Sequence, residues 1–299
     1  MALLQKAKLA SRALFDSRYR YLYRQRAQTD RRARAARAEE VARALPQVAV
    51  PSTPQGDELA DSGIVFLQDL ISADAVAEMR KWFTDAPAQD PHRPALGTFE
   101  APDQVPAQTH VAYIDAAHVA SAPHGLELAN HPSVIAAVTQ FLGAKPTISY
   151  MTAWWSMPRG GAAEGPENYH RDWDDYRFVK LFLYLTDVDE NSGPHAFVRG
   201  SHESDRLMER RRFTDAEVEA AFPAENRMTI TGPAGSNFLE TTFGVHRGIP
   251  PVSNRRLIFQ VLYTLSPHIS GPLQPVMRLD PERREGVDPY TNRIYYRFD

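Results

Sequence analysis

The chain has 299 residues, of which 43% are hydrophobic and 24% are charged, and its formal net charge is −3. These values are ordinary for a globular protein and allow a large hydrophobic core. The chain has no cysteine, which excludes disulfides, zinc ribbons, iron–sulfur clusters and cysteine nucleophiles. Any bound metal must therefore take His, Asp or Glu ligands, a set that suits iron, manganese or zinc.

The sequence also limits the location of the protein. No apolar stretch reaches the roughly 18–20 residues of a membrane span, and no signal-peptide core precedes a small-residue cleavage site. The cytoplasm is therefore the expected location. The arginine-rich start is also similar to a mitochondrial transit peptide, which is the alternative.

Residues 1–46 are predicted to form a basic helical extension that ends at Pro46. Its first 45 residues contain 12 Lys/Arg and 4 Asp/Glu, with apolar residues at near-helical spacing. One interpretation is an arm that binds a membrane surface, nucleic acid or a partner protein. We favour a helix that packs its apolar stripe on the domain and leaves its arginines in water, so no nucleic-acid partner is expected.

Residues 58–299 are predicted to form one domain, preceded by a Pro-rich linker over 48–57. A short strand is expected in SGIVFLQDL, and a helix with Ser72 as its N-cap in SADAVAEMRKWF. Residues 86–110 are rich in Pro and polar residues, which indicates a long loop. The segment HPSVIAAVTQFLG is predicted to be an amphipathic helix that ends at Gly143.

From Thr147 onward the pattern changes to short β-rich runs separated by Gly, Pro and Asn. One helix is predicted among them, in TDAEVEAAF. Several short strands with turn residues between them are typical of a β-sandwich or barrel. The predicted strands lie in TISYMTAWWSM, FVKLFLYLTDV, HAFVRGS, RMTITG, SNFLETTF and RRLIFQVLYTL.

His170 and Asp172 are the first candidate metal ligands. They are two residues apart, so on an extended strand both side chains leave the same face. With 10 His and 37 acidic residues in the chain, about one such pair is expected by chance, and the context must decide. His246 follows a later β-rich run and supplies a second histidine. Two His and one carboxylate bind Fe(II) and leave three coordination positions open.

Ten residues after His246, Arg256 opens a strongly apolar predicted strand. A guanidinium can bind the carboxylate of a cosubstrate through two charge-assisted hydrogen bonds. Arg255 is the rival. Strand alternation places Arg256 on the face of Ile258, Gln260 and Thr264, whereas Arg255 shares the face of Leu257, Phe259, Val261 and Leu265. The partly polar face is the better lining for a cofactor cavity, which favours Arg256.

Taken in order, YHRDWDD, LFLYLTDVDENSGP, RGSH and VHRGIPPVSNRRL resemble the phytanoyl-CoA dioxygenase-like family of Fe(II)/2-oxoglutarate oxygenases. The segment SGIVFLQDLISADAVAEMRKWF is similar to the start of the catalytic domain in that family. The resemblance extends over roughly residues 58–266. It implies a mainly β fold with flanking helices (α+β), built as a double-stranded β-helix, a cupin-like jelly roll.

The resemblance also implies site residues and cofactors. His170, Asp172 and His246 match the Fe(II) ligands, and Arg256 matches the arginine that binds the distal carboxylate of 2-oxoglutarate. With O2 as the further substrate, the implied reaction hydroxylates a C–H bond of a small molecule and releases succinate and CO2. Halogenating relatives replace the metal-binding Asp with a small residue; the presence of Asp172 therefore favours hydroxylation.

Two alternatives stay open at this point. A cupin-like isomerase, epimerase or hydrolase could use Zn or Mn at the same triad without consuming oxygen. A barrel without catalytic activity could serve as a binding module through its basic extension, although the intact His, Asp, His and Arg set argues against this. The sequence carries no signal for an oligomeric state and no CoA-binding signature, so a small polar or natural-product substrate is preferred.

Several other residues have both a functional and a structural interpretation. Lys180, a lone cation in an apolar strand, is a candidate for cofactor binding, or its ammonium reaches the surface.

Core packing is preferred for Trp154 and is held equal to a substrate wall for Trp155. A solvated turn is preferred for Asp174, Asp175 and Arg177, and a structural role for His110 and His202. Tyr169 and Trp173 are further aromatic candidates near the metal-binding strand. No role is assigned to the other histidines, His92, His118, His124, His131, His195 and His268.

Overall fold

The computed structural model describes residues 17–160 and 162–299, and the first 16 residues of the predicted extension lie outside this part. The described chain contains thirteen strands. They are β1 (Ile64–Phe66), β2 (Ala86–Gln89), β3 (Thr98–Ala101), β4 (Val111–Ile114), β5 (Thr147–Ser156), β6 (Phe178–Tyr184), β7 (His195–Val198), β8 (Arg227–Ile230), β9 (Asn237–Glu240), β10 (His246–Gly248), β11 (Arg256–Thr264), β12 (Met277–Arg278) and β13 (Tyr296–Arg297).

Helices flank the strands, mainly in the first half of the described chain. They are α1 (Ser17–Ala27), α2 (Arg31–Arg43), α3 (Pro54–Ser62), α4 (Ala73–Phe83), α5 (Ala116–Ala120), α6 (Gly125–Ala129), α7 (Pro132–Leu142), α8 (Asp215–Ala221) and α9 (Pro289–Asn292). None of the helices in residues 17–299 is long and apolar enough to cross a bilayer.

Two antiparallel sheets form the centre of the fold. The larger has eight strands in the order β1-β9-β6-β11-β5-β4-β2-β3, and the smaller has three in the order β10-β7-β8. Apolar residues from both sheets, such as Phe182, Phe197 and Ile258, are buried in one shared cluster. Two packed sheets with helices on the outside are the architecture of a jelly roll. The predicted fold class, mainly β with flanking helices (α+β) in a cupin-like double-stranded β-helix, is therefore confirmed.

Strand β11 shows how the sequence pattern divides the interior. It lies between β5 and β6, and all nine of its residues are buried. Leu257, Phe259 and Val261 belong to the main hydrophobic core. Ile258, on the alternate face, packs between the two sheets. One face of the strand therefore joins the main core, and the other is available for a site.

The caps predicted at Ser72 and Gly143 are confirmed, and the structure adds a third cap, at Thr214, that was not predicted. The side chain of Ser72 caps α4, Gly143 ends α7 in a left-handed conformation, and the side chain of Thr214 caps α8. Two other predictions are wrong. The predicted linker contains the start of α3, because Thr53 caps a helix with Pro54 in its first turn. The predicted loop over 86–110 contains β2 and β3, which pair with each other at the edge of the larger sheet.

The described part of the N-terminal extension is helical and packs on the domain. Leu22, Ala38 and Ala42 are buried, in line with an apolar stripe that faces the protein. The expectation that the arginines lie in water is wrong for Arg34, which is only 1% exposed.

Candidate active site

His170 and His246 are brought side by side by the backbone. They form an isolated antiparallel bridge, in which the His170 N–H donates to the His246 carbonyl at 2.9 Å and the reverse bond is 3.0 Å. The Asp172 N–H donates to the Thr242 carbonyl at 2.8 Å. The segment that carries His170 and Asp172 is thus hydrogen-bonded to the segment that leads into His246.

The three side chains are oriented as a metal-binding set. Nδ1 of His170 bonds to the Asn168 carbonyl at 2.8 Å, and Nδ1 of His246 bonds to the Gly244 carbonyl at 3.0 Å. Both Nε2 atoms therefore point to the Asp172 carboxylate, at 3.4 Å from His170 and 3.5 Å from His246. Cis ligands about 2.1 Å from one metal lie about 3 Å apart. The donor set therefore fits a divalent metal with nitrogen and oxygen ligands.

The protonation states of His170 and Asp172 also suit a metal, whereas the neighbouring Asp172 carboxylate raises the pKa of His246 against the effect of burial. Burial, together with the neighbouring His246, lowers the pKa of His170 to about 4, so this imidazole is neutral at pH 7. Burial acts to raise the pKa of Asp172, but Lys180 and His246 hold it well below its usual value. A neutral imidazole and an ionised carboxylate are the forms that bind metal.

Lys180 lies beside the metal-binding set. Its Nζ is 2.6 Å from Oδ2 of Asp172 and 2.9 Å from Oδ2 of Asp174. The ammonium is therefore buried between two carboxylates and does not reach the surface. Asp174 borders the same cavity and is not the solvated turn residue that the sequence favoured.

Arg256 is buried at the start of β11 and borders the same cavity. Its guanidinium donates to the Gly193 carbonyl and to the Ser156 hydroxyl, the latter at 3.1 Å. Among residues 17–160 and 162–299, no carboxylate lies within ion-pair distance of it. Arg255, in contrast, is on the surface and pairs with Asp103 at 2.6 Å. The strand alternation separates the two arginines as expected.

Gly193, whose carbonyl accepts from Arg256, has a backbone conformation that favours glycine. Its φ is +72°, and an added Cβ would lie 2.6 Å from the Ile249 carbonyl oxygen. Any other residue would be strained and would clash with backbone. The glycine in the motif ENSGP therefore fits a position where the chain passes close to Ile249.

The cavity extends between the two sheets and has a volume of about 240 Å³. This exceeds the ~150 Å³ of cavities that admit benzene, so a small organic acid can be enclosed.

Trp154 borders the cavity and stacks on Tyr113 with ring centroids 5.4 Å apart. Trp155 points to the opposite side and is buried in the main core. Trp154 also packs against the buried cluster that contains Phe182 and Ile258, so it combines the preferred core contact with a place in the cavity wall.

A histidine–carboxylate pair forms another part of the cavity wall. Nδ1 of His110 is 3.1 Å from both carboxylate oxygens of Glu167, and Nε2 is 3.8 Å from Glu164. All three residues border the cavity. Sequence reasoning preferred a structural role for His110 and missed both glutamates. No local pattern identifies them, because β4 and the 164–167 turn meet only in the folded chain.

Behind His246 lies a second pair that sequence reasoning also missed. The His195 ring stacks on the His246 ring at 5.5 Å, and its Nε2 is 2.9 Å from the fully buried Glu240. Burial raises the pKa of Glu240 to about 8. His195 thus packs between a metal-binding candidate and a buried carboxyl group, in a strand that carries no motif.

The remaining candidates lie away from the cavity lining. Tyr169 packs near Phe213, and Trp173 packs edge-on against Phe243 at 5.4 Å. Asp175 is fully buried, which corrects the prediction of a solvated turn. Arg177 donates to the Leu142 carbonyl at the end of α7. His202 bonds to the Ala60 carbonyl at 3.0 Å, which is a structural contact.

Fold and site together define a jelly-roll protein with a His–Asp–His centre and a buried arginine in one cavity. Residues 59–242 match the family described as phytanoyl-CoA dioxygenase (PhyH), and the chain belongs to that family. His170 and Asp172 lie within the matched residues, and His246 and Arg256 follow them. The cofactors of this class of enzyme are Fe(II), 2-oxoglutarate and O2, as the sequence predicted.

Solved structures share the fold. The non-heme alpha ketoglutarate dependent carbocyclase SnoK, from nogalamycin biosynthesis, is 20% identical with a TM-score of 0.50; the alignment covers 71% of this chain and 84% of that one. The apoform of EctD from S. alaskensis is 16% identical with a TM-score of 0.50, over 73% and 78% of the two chains. No curated protein sequence matches the chain.

Proposed function

We propose that the protein is an Fe(II)/2-oxoglutarate-dependent hydroxylase of a small polar molecule. The observation that carries the proposal is the buried Arg256 guanidinium, which borders the same cavity as the His–Asp–His set. A buried cation is costly unless it is paired. The described residues offer it no carboxylate, and a dicarboxylate cosubstrate would supply one.

In this proposal His170, Asp172 and His246 bind the metal. The Nδ1 bonds to backbone carbonyls fix both imidazole tautomers with Nε2 toward the metal. Lys180 holds Oδ2 of Asp172, which leaves Oδ1 free of the lysine. Bound iron, with 2-oxoglutarate and O2, would supply the oxidising chemistry, while the chain supplies binding and orientation.

Arg256 would bind the distal carboxylate of 2-oxoglutarate, assisted by the hydroxyl of Ser156. Its Nε is buried without a hydrogen-bond partner among the described residues, so the guanidinium keeps unused donor capacity. Two charge-assisted hydrogen bonds of roughly 1.5–3 kcal/mol each would fix the cosubstrate in one orientation. Lys180, the other predicted cofactor-binding residue, is assigned the different role of positioning Asp172.

The substrate would contact the polar wall formed by His110, Glu164 and Glu167. In this proposal Nδ1 of His110 donates to Glu167, and Nε2 of the same ring, 3.8 Å from Glu164, serves as an acceptor for the substrate. An acceptor next to a carboxylate suits a hydroxyl or amine group of the substrate. The two carboxylates of this wall favour a small polar molecule over a long acyl chain.

The proposal is tested by anaerobic reconstitution with Fe(II) followed by addition of 2-oxoglutarate. We expect one Fe(II) ion bound per chain and a weak visible charge-transfer band, both absent in Asp172→Ala. A succinate-release screen against a metabolite panel would then identify the substrate. A cupin-like isomerase would bind metal but form no such band and release no succinate, and a non-catalytic binding module would show neither iron binding nor turnover.

A further inference from the structure

The N-terminal helices α1 and α2 lie across the loop that follows Asp172. The Tyr21 hydroxyl donates to the Asp175 carboxylate, and the Gln25 amide donates to the Trp173 carbonyl. Nη2 of Arg34 donates to the Asp175 carbonyl at 2.6 Å. Three contacts from a segment more than 130 residues away in the sequence therefore hold Trp173 and Asp175, which follow Asp172 by one and three residues.

Arg34 is the central residue of this contact, and its surroundings are unusual for a cation. Its guanidinium lies 4.6 Å from the Trp173 ring and 4.9 Å from the Phe243 ring. Burial lowers the pKa of Arg34 to about 10, so the side chain is still charged at neutral pH. Nη1 donates to the Gln25 carbonyl at 2.6 Å. Its positive charge is thus balanced by carbonyl dipoles and aromatic faces.

The two aromatic residues belong to the two segments that form the candidate metal site. Trp173 follows Asp172 directly, and Phe243 precedes His246 by three residues. The rings touch edge to face at 5.4 Å, and Arg34 contacts both of them. A single buried guanidinium therefore bridges the backbone segment of the carboxylate ligand and that of the second histidine.

We propose that Arg34 is a positioning residue of the metal centre, and that α1 and α2 are a working part of the active site. The inference rests on the proposed function, because it takes Asp172 and His246 as metal ligands. Loss of Arg34 would free the 173–175 backbone and separate Trp173 from Phe243. The carboxylate and the imidazole would then meet the metal in a less defined geometry, which lowers affinity and changes the ligand field.

The experiment measures Co(II) binding to the full chain by its visible d–d absorption, with thermal unfolding recorded for each variant. Arg34→Met keeps the length and apolar contact of the side chain but removes its donors. We expect Co(II) affinity to fall about tenfold or more, as for other changes around metal ligands, and the d–d spectrum to change. Arg32→Met is the matched control, since Arg32 is exposed on the same helix, and it should match the wild type.

A folded Arg34→Met protein with wild-type Co(II) affinity and spectrum would overturn the inference. If that variant fails to fold, Arg34→Lys and Tyr21→Phe replace it. Lys cannot reproduce the planar guanidinium contacts, and Phe removes only the hydroxyl that binds Asp175. Both should weaken Co(II) binding severalfold, and unchanged binding in both would overturn the inference. Failure of the wild type to bind Co(II), or equal binding by Asp172→Ala, would instead reject the metal-site assignment.

Discussion

Nζ of Lys180 lies 2.6 Å from Oδ2 of Asp172, so the proposed carboxylate ligand forms an ion pair with a buried lysine. Lys180 enters from β6, whereas Asp172 precedes that strand in the chain. The pair has two consequences for a metal site. It keeps the carboxylate ionised, and it commits one of the two carboxylate oxygens to the ammonium.

Lys180→Met should make metal binding more sensitive to acid. Burial acts to raise the pKa of Asp172, and the Lys180 ammonium is the first influence that lowers it. Without the ammonium the carboxyl group takes up a proton at higher pH, so Co(II) binding should be lost at higher pH than in the wild type. Titrations of Co(II) absorption between pH 4 and pH 7 measure this, with the exposed Lys81→Met as control. Superimposable pH profiles would contradict the role of Lys180.

Arg256→Ala should weaken 2-oxoglutarate binding by a factor of at least about one hundred. Two charge-assisted hydrogen bonds are lost, each of roughly 1.5–3 kcal/mol. Arg255→Ala is a closely matched control, because Arg255 is the adjacent residue and pairs with Asp103 on the surface. Titration of the anaerobic charge-transfer band measures the affinity. A larger effect for Arg255→Ala than for Arg256→Ala would reverse the assignment.

His110→Asn should impair use of the substrate without changing the affinity for 2-oxoglutarate. The imidazole accepts from the substrate in our proposal, and loss of one such hydrogen bond corresponds to about a tenfold fall in kcat/KM. His118→Ala is the control, as His118 lies outside the cavity and bonds to the Trp82 carbonyl. Rates of succinate release at varied concentrations of the substrate give kcat/KM, and the same assay at varied concentrations of 2-oxoglutarate gives its apparent affinity. An unchanged kcat/KM would remove His110 from the substrate site.

The adjacent tryptophans of β5 should differ in their effect on stability. Trp155→Ala should lower the free energy of unfolding by about 3–5 kcal/mol, as for large side chains in a core. Trp154→Ala should cost clearly less, because Trp154 is half-buried and borders the cavity, but it should reduce turnover. Urea denaturation compares the two. Equal losses of stability would show that Trp154 also belongs to the core.

Asp175 should make the stability of the protein depend on pH. Burial raises the pKa of Asp175 to about 6, against the lowering by its hydrogen bonds. Its unfolded value is about 3.9, so between these values the folded state binds more protons and stability falls as the pH rises. The free energy of unfolding of the wild type minus that of Asp175→Asn should therefore decrease by on the order of 2 kcal/mol from pH 4 to pH 7. A difference that grows with pH would mean that the hydrogen bonds outweigh burial.

Local patterns predicted the elements that are stabilised by local interactions. The β-rich runs after Thr147 became strands, and the caps at Ser72 and Gly143 bound their helices as expected. The errors occurred where partners distant in sequence decide. Strands β2 and β3 have only four residues each; they pair with each other, and β2 also pairs with β4. A Pro-rich segment gave no sign of that pairing.

The same division applies to the site. The order of His170, Asp172, His246 and Arg256 is carried by the sequence, and strand alternation in β11 separates Arg256 from Arg255. The positions of Lys180, His110 and Arg34 were decided only by the tertiary structure. Their partners are 8, 57 and 141 residues away in the chain. Burial and charge pairing at such contacts depend on the packing of the two sheets and of the N-terminal helices, which no local pattern encodes.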